Sequence, residues 1–329
     1  MILAIDQGSS KTVAALVNPE GTIVSKAFSG GACYFSSSVE KAFREIDVSA
    51  KEAMNAAGVG GVDRIYAGIA GANWPDEIEM LTGEMHRRFP APAVTVRNDC
   101  VAALRGGTDK RDGIVLCAGS GLNAAVMING KVIQVLNNYV DDNDQGGGAL
   151  GNRAMEAVFE SQAGIRGDTV LTERLLDFFG CSTVDELIVG RDHRKLRYPM
   201  YTAVEILMRA ADENDETALD VVYEFSVSVA RYVTGSMKKF GLVGKDCDIV
   251  LSGGVFKSYN PLFRETIAVA VHRISRQAAV INAKYEPIVG AALLGLEAAG
   301  APQEALEKCR LSAEALGLTR CTDKFGAKT

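Results

Sequence analysis

Short apolar runs alternate with Gly/Ser/Asn turns along this chain, and one such arrangement occurs twice. Ile2-Leu3-Ala4-Ile5-Asp6 leads into Gln7-Gly8-Ser9-Ser10-Lys11, then Thr12–Val17, a turn at Pro19-Glu20-Gly21, and Thr22–Ala27. Further on, Ile114–Ala118 leads into Gly119-Ser120-Gly121-Leu122, then Asn123–Ile128, Asn129-Gly130 and Lys131–Val135. Apolar runs of this length bounded by turn residues predict buried strands joined as hairpins. Glycine and serine in the first turn of each repeat let backbone N–H groups and hydroxyls come close to an anion. The repetition predicts two similar domains gripping one polyphosphate between them.

Helical periodicity fills the spaces between strands. Val39–Ala57 predicts a helix, with Ser36–Ser38 as candidate caps and Gly58, Gly60 and Gly61 as its stop. Ile65–Ala70 reads as a buried strand, Pro75 and Asp76 open a helix to about Arg88, and Val94–Arg97 is a strand ending at Asn98-Asp99. A short helix, Cys100–Leu104, follows. Beyond the charged turn Asp109–Asp112 and the second hairpins, the run Asp144–Gly151 leads into a helix through Phe159, and two long helices come next. The second carries Leu219, Val222, Val229, Val233, Met237 and Phe240 as one core-facing stripe. Asp248–Leu251 is a short strand before Gly253-Gly254, and Pro287–Leu294 opens a late helix. The tail after Pro302 reads as helical, then frays at Asp323–Thr329.

These elements predict an α/β fold with mixed strand pairing, since the first three strands are hairpin-linked. The expected domains are 1–112 and 113–300, with 301–329 as a helical tail. At 329 residues the chain can bury two cores. A net charge of −6 with scattered Lys and Arg argues against nucleic acid or an anionic membrane as the main partner. The seven cysteines show no CxxC pair, which suggests reduced thiols in the cytoplasm rather than a disulfide frame. The first strand starts at Ile2, and neither a leader nor a membrane-spanning run is expected.

Chemistry concentrates at the turns. Asp6 stands where a strand meets its turn and could hold hydrated Mg²⁺, while Gly8, Ser9, Ser10 and Thr12 offer donors to phosphate oxygens; an ordinary hairpin turn would look similar. The matching Gly119-Ser120-Gly121 favours the phosphate reading. Asp99 follows a strand and could accept a proton from an attacking hydroxyl, or cap its helix, or both. Asp144 could bind a substrate hydroxyl or cap the helix after it, and Lys11 could touch phosphate but reads rather as a solvated turn residue. Gly253-Gly254 either accommodates a flat adenine or makes a tight turn. His86, His193 and His272 sit among charged neighbours and read as surface residues.

Gly119–Ala124 fits a GxGxxA pattern, but a strand follows where a dinucleotide fold needs a helix. Gly146, Gly148 and Gly151 form a second such pattern without a buried strand leading in. The chain contains no GxxxxGK[ST] loop and no GxSxG elbow, which excludes a P-loop enzyme and leaves serine hydrolysis unsupported.

Taken in order, these segments resemble the actin-like ATPase superfamily of sugar kinases, and within it the BadF/BadG/BcrA/BcrD-type, N-acetylglucosamine kinase-like family. Asp6–Thr12 is similar to that family's first phosphate loop and Gly119–Gly121 to its second. Asn98-Asp99 with Ala102-Ala103-Leu104 is similar to its catalytic-base segment, and Asp144–Gly151 to the segment lining its sugar pocket. Leu251–Phe256 is similar to its adenosine motif, Pro287–Ala292 to its closing helix, and Ala70–Pro75 to bacterial members. The resemblance spans about residues 1–300. It implies two duplicated ribonuclease H-like domains with ATP in a cleft between them, Mg²⁺, and phosphorylation of an amino sugar by a cytoplasmic homodimer. Carried over, Asp99 is the base, Asp99, Asn123 and Asp144 contact sugar, Asp6 positions Mg²⁺ through water, and Gly253 and Gly254 take adenosine. Gln7 stands where kinase members carry glycine, Ser10 where they carry glycine or threonine, and Gln145 where they often carry glutamate. Rival expectations are an ATPase that activates a dehydratase or reductase through a shared iron–sulfur cluster, a non-catalytic sugar- or nucleotide-binding regulator, and a nicotinamide oxidoreductase.

Overall fold

The computed structural model describes residues 1–319 apart from 197, 199, 258 and 259. Its strands are β1 (Ile2–Gln7), β2 (Lys11–Val17), β3 (Ile23–Gly30), β4 (Arg64–Ile69), β5 (Ala93–Asn98), β6 (Gly113–Ala118), β7 (Leu122–Ile128), β8 (Lys131–Val135), β9 (Asp248–Ser252) and β10 (Ala279–Asn282). Its helices are α1 (Val39–Ala56), α2 (Pro75–Arg88), α3 (Asp99–Gly107), α4 (Gly146–Gln162), α5 (Leu171–Phe179), α6 (Val184–Asp192), α7 (Ala203–Asp212), α8 (Glu216–Lys239), α9 (Leu262–His272), α10 (Pro287–Ala298) and α11 (Gln303–Ala315).

The repeat seen in the sequence is a repeat of topology. One mixed sheet has the order β3-β2-β1-β4-β5. The other, read from its far edge, is β8-β7-β6-β9-β10, so each hairpin pair and each later strand pair occupies the same place. In the first sheet β1–β2 and β2–β3 are antiparallel, while β1–β4 and β4–β5 are parallel. The chain divides into two compact units: Met1–Val115 with Ala125–Asn138 and the described residues from Ile281 on, and Leu116–Ala124 with Tyr139–Val280.

In the first unit, β1 presents alternate residues to opposite faces, as a strand must. Leu3 and Ile5 join Phe43 and Ile46 of α1 and Leu81 and Met85 of α2. Ile2 and Ala4 join Ile288, Val289 and Ala292 of α10 on the other face. Helix α1 starts where expected, with the Ser38 side chain accepting from the Lys41 N–H. Helices α10 and α3 cross with almost no separation: a Cβ at Gly290 would lie 1.8 Å from the Ala102 carbonyl oxygen and 2.7 Å from the Gly106 nitrogen.

In the second unit the structure corrects one expectation. Among the described residues, four α-helices stand between α4 and β9 rather than two long ones: α5 and α6 have 9 residues each, α7 has 10, and only α8, with 24, is long; α9 follows β9. Gly164, Gly180 and Asn214 all take left-handed backbone and punctuate the segment. Along α8, Val222, Val229, Val233 and Met237 are buried as expected, joined by Val221 and Phe225. The expected fraying at Asp323–Thr329 lies outside the described residues.

Candidate active site

Within the first unit, one glycine explains how two carboxyl groups meet. Asp6 on β1 is paired with Gly68 on the adjacent β4. A Cβ at Gly68 would come within 3.3 Å of Asp99 Cα and of Ala102 Cβ. A bare backbone at Gly68 therefore lets the first turn of α3 lie directly over the strand beside Asp6. Asp6 is 7% exposed. Burial, with the negative charges of Asp99 and Glu286, pushes its carboxyl up to about 7 against the opposing pull of Lys11. Burial likewise pushes Asp99 up to about 6, although the Cys100 N–H donates to its Oδ1 at 3.0 Å.

Asp99 is not the cap of its helix. Asn98 is, its Oδ1 accepting from the Cys100 N–H at 2.9 Å while its Nδ2 donates to Asn73 at 2.9 Å. The same Cys100 N–H is shared with Asp99 Oδ1 at 3.0 Å. Lys11 is exposed, as a solvated turn residue should be, and its Nζ also donates to Glu286 Oε2 at 2.8 Å. The turn between them is closed by the Gly8 N–H donating to the Lys11 carbonyl at 2.9 Å, with Ser9 and Ser10 exposed. Thr12 is fully buried and gives its hydroxyl proton to the Gly30 carbonyl at 2.9 Å, bracing the hairpin. Gln7 points to the other face, where its Nε2 donates to the Ala32 carbonyl at 2.5 Å and its Oε1 is buried without a partner.

The remaining predicted residues belong to the second unit. The Gly119 N–H donates to the Gly121 carbonyl at 2.9 Å, closing a turn one residue shorter than the one at Gly8. A Cβ at Gly119 would meet nothing within 4 Å, so packing does not demand glycine there. The glycine run that follows has a different cause. Gly146 takes φ +52, and a Cβ on it would strike the Gly121 carbonyl oxygen at 2.2 Å. With that approach, the N–H groups of Gly147 and Gly148 donate to the carbonyls of Gly119 and Ser120 at 2.8 and 3.0 Å. Gln145 adds a weaker tie, its Oε1 accepting from the Leu122 N–H at 3.3 Å. The first turn of α4 thus serves to hold the second Gly/Ser turn, which explains the glycine pattern without a dinucleotide.

Asp144 is fully buried and does not cap α4, whose cap residue is Gln145. Its carboxylate accepts from Arg153 at 3.1 Å, Arg231 at 2.6 Å and Tyr232 at 2.9 Å. Burial alone would raise its pKa, but hydrogen bonds from Ser228, Tyr232 and Arg231 win and hold it below the usual carboxylate range. Asn123 is half-buried, its Oδ1 accepting from the Ala124 N–H at 2.8 Å. Gly253 takes φ +101 and sits against the end of β6, where a Cβ would meet the Ala118 carbonyl oxygen at 2.2 Å; Gly254 follows at the start of a short 3₁₀ turn. Close backbone packing accounts for Gly253 without a ligand.

Sequence reasoning missed Glu286. Its position just before Pro287, at the cap of an apolar helix, gave no local sign of a partner on β2.

Comparison with known proteins adds the family. The model of the BadF/BadG/BcrA/BcrD ATPase family matches residues 3–295. This chain belongs to that family. The glucosamine kinase GspK of Vibrio cholerae is 28% identical over 180 residues, which is 54% of this chain and 60% of that protein. The match thus spans about three fifths of the length of this curated relative. Among solved structures, a proposed N-acetylglucosamine kinase from Porphyromonas gingivalis superposes with a TM-score of 0.67 at 17% identity, covering 90% of this chain and 99% of the other. A ROK family glucokinase from Streptomyces griseus, solved with glucose and AMPPNP, gives 0.63 at 19% identity, covering 90% and 99%. These likenesses establish that the family member has the actin-like fold of sugar kinases.

Proposed function

We propose that this chain is an ATP-dependent kinase that phosphorylates a hydroxyl of an amino sugar of the glucosamine or N-acetylglucosamine type. The observation that carries the proposal is the approach of Asp6 and Asp99 across Gly68, with both carboxyls held above the usual range. A base poised near neutral pH suits removal of a proton from a sugar hydroxyl as it attacks a phosphoryl group. In this reading Asp99 is the general base. The N–H groups and hydroxyls around Ser9, Ser10, Ser120 and Gly121 receive phosphate oxygens, Gly253 and Gly254 take the adenosine, and Asn123 contacts the sugar. Asp144 serves by orienting Arg153 and Arg231.

The donor set fits a divalent cation shared with the nucleotide. Around Asp6 the charges of Asp99 and Glu286 are opposed by one ammonium, Lys11, so a bare polyphosphate would be repelled. Among the described residues no group of three His, Cys, Asp or Glu could hold a metal ion by itself. Asp6 would reach Mg²⁺ through water, and the ion would neutralise charge on the transferring phosphoryl group. Most of the rate then comes from positioning and electrostatics rather than covalent chemistry.

Burial pushes the Cys33 thiol up to about 11 and the Cys309 thiol up to about 12, so neither is poised as a thiolate ligand for a shared cluster. The deciding experiment is a coupled ADP-release screen over glucosamine, N-acetylglucosamine, muramic acid derivatives, glucose and simple polyols. Release that depends on an amino sugar is the expected result. ATP hydrolysis indifferent to every acceptor, or iron in the purified protein, would replace the kinase reading with that of an activating ATPase.

A further inference from the structure

Two short loops of the first unit present aromatic rings to solvent beside the segment that carries Asp99. Phe35 lies between β3 and α1 and is 66% exposed; Trp74, the chain's one tryptophan, stands at the start of α2 and is 46% exposed. Rings of this size left open forgo the gain of burial, yet the backbone beneath both is held fast. A Cβ at Gly31 would lie 2.3 Å from the Ser9 carbonyl oxygen, so the Phe35 loop starts packed on the Gly8–Ser10 turn. The Gln7 Nε2 donates to the Ala32 carbonyl at 2.5 Å, and the Cys33 thiol to the Ala70 carbonyl at 3.5 Å. The Tyr34 hydroxyl donates to the Gly71 carbonyl at 2.9 Å, and its ring meets Phe35 edge-on at 5.8 Å. Gly71 takes φ +89, and a Cβ there would strike the Phe35 ring at 2.7 Å. Phe35 is therefore seated on bare backbone and otherwise open to water.

Trp74 is anchored as firmly. Glu77 Oε2 accepts from the N–H groups of Asn73 and Trp74, both at 2.9 Å. The Asn73 side chain then accepts from Asn98, the residue before Asp99, at 2.9 Å. The supports of both rings thus run continuously into the segment bearing the candidate base. Ser36 and Ser37 direct their hydroxyl protons inward, to the Cys33 carbonyl at 3.3 and 2.8 Å. What these loops offer outward is aromatic surface with a single indole N–H. We propose that Phe35 and Trp74 are a subsite for an uncharged ring joined to the amino sugar, so that the preferred acceptor is a glycoside or disaccharide rather than the free sugar. Resting on the kinase reading, in which Asp99 and Asn123 meet the sugar itself, the subsite meets what that sugar carries. Two sources share this chemistry, an aryl aglycone and a second pyranose with its C–H face, since either lays apolar surface on a ring.

Trp74 reports on its own subsite, because no other indole contributes to the emission. In the full chain without nucleotide, its fluorescence is titrated with glucosamine, N-acetylglucosamine, the phenyl β-glycoside of N-acetylglucosamine and the β-linked disaccharide of that sugar. A saturable change is expected for at least one ring-bearing sugar at about tenfold lower concentration than for the free sugars. A response to one of the two ring-bearing sugars names the source and supports the subsite. Phe35→Ala should weaken that binding about tenfold, and Phe35→Tyr should restore it. No response to either ring-bearing sugar, equal midpoints for free and ring-bearing sugars, or Phe35→Ala binding like wild type would overturn the assignment. An oligomer in sedimentation that Phe35→Ala dissolves would also overturn it, because the aromatic surface would then belong to a second copy. In the ADP-release assay the added ring should lower KM about tenfold and leave kcat within about threefold, as uniform binding does. Equal kcat/KM on free and ring-bearing sugars would keep the kinase reading and remove the subsite. Binding of a ring-bearing sugar without phosphorylation of any acceptor would count against the kinase reading and leave the subsite standing.

Discussion

Asp6 and Asp144 are both buried aspartates, each beside one of the two repeated Gly/Ser turns, and they end in opposite electrostatic states. Asp6 is raised to about 7 because burial and two neighbouring carboxylates outweigh one lysine. Asp144 is also buried, yet it is lowered, because Ser228, Tyr232 and Arg231 all donate to it and Arg153 lies at 3.1 Å. Burial sets the stakes and the partners set the sign. The same topology thus carries two different chemistries. In the first unit a turn stands beside under-compensated carboxyls that can exchange protons. In the second, a turn is pinned by the N-terminal N–H groups of α4, and its nearby carboxylate is held in its charged form by the groups that donate to it.

The largest test of that contrast is Asp99→Asn. Removing a base while keeping shape should lower kcat about 10²- to 10⁴-fold, with Mg·ATP affinity nearly kept. For the wild type, kcat/KM should rise with pH through an inflection near 6 as Asp99 loses its proton, well above the position of an exposed aspartate. Equal turnover in variant and wild type would remove Asp99 from the reaction.

Next in size is Gly146→Ala, which attacks the second turn through packing alone. A methyl group there meets the Gly121 carbonyl at 2.2 Å on a left-handed backbone. The cost should be about 2–4 kcal/mol, seen as a lower thermal midpoint, with activity lost in the same step. A normal midpoint would show that the α4 contact does not hold the turn.

The opposite signs of Asp6 and Asp144 should also appear in stability. A carboxyl whose folded pKa is raised supports the fold fully below its unfolded value near 3.8 and loses that support as pH climbs through about 7. Asp6→Asn should therefore stabilise the nucleotide-free protein at pH 8 by about 1–3 kcal/mol, seen as a higher thermal midpoint, with the gain fading towards pH 4. A carboxylate whose folded pKa is lowered supports the fold above its unfolded value and loses that support as pH falls. Asp144→Asn should thus destabilise by about 1–2 kcal/mol at pH 7, and progressively less in acid. Calorimetry of both variants across this range would expose a shared sign, which would erase the contrast.

Much of this was legible from residue pattern. The duplicated hairpins, their turns, the strand before Asp99 and the stop after α1 all follow from local periodicity and glycine chemistry, which act within a few residues. What stayed hidden depends on distant backbone. The edge strand β10 is four residues of half-exposed Ala-Val-Ile-Asn, too short and too weakly alternating to stand out. Glu286 and Lys11 are far apart in sequence, and only the crossing of α10 over α3 explains their meeting. The partners of Asp144 and of the glycines at the start of α4 were hidden for a similar reason. Arg153 and Arg231 approach the first from two helices, and the Gly119–Gly121 carbonyls decide the second.

The smallest expected effect is the most discriminating about geometry. Gly68→Ala adds one methyl group, whose Cβ would sit 3.3 Å from both Asp99 Cα and Ala102 Cβ. That distance is tighter than ordinary contact but short of a clash, so the first turn of α3 can yield by a few tenths of an ångström. Folding should survive with a loss near 1 kcal/mol, because Gly68 needs no left-handed backbone. The Asp99 carboxyl, however, would ride outward with its helix, and proton transfer falls steeply with small misplacements. A three- to tenfold drop in kcat at an almost unchanged thermal midpoint is expected. Were kcat to stay at the wild-type value while the midpoint fell, the close seat of α3 on β4 would belong to stability alone, and the meeting of Asp6 with Asp99 would lose its claim to be the working arrangement.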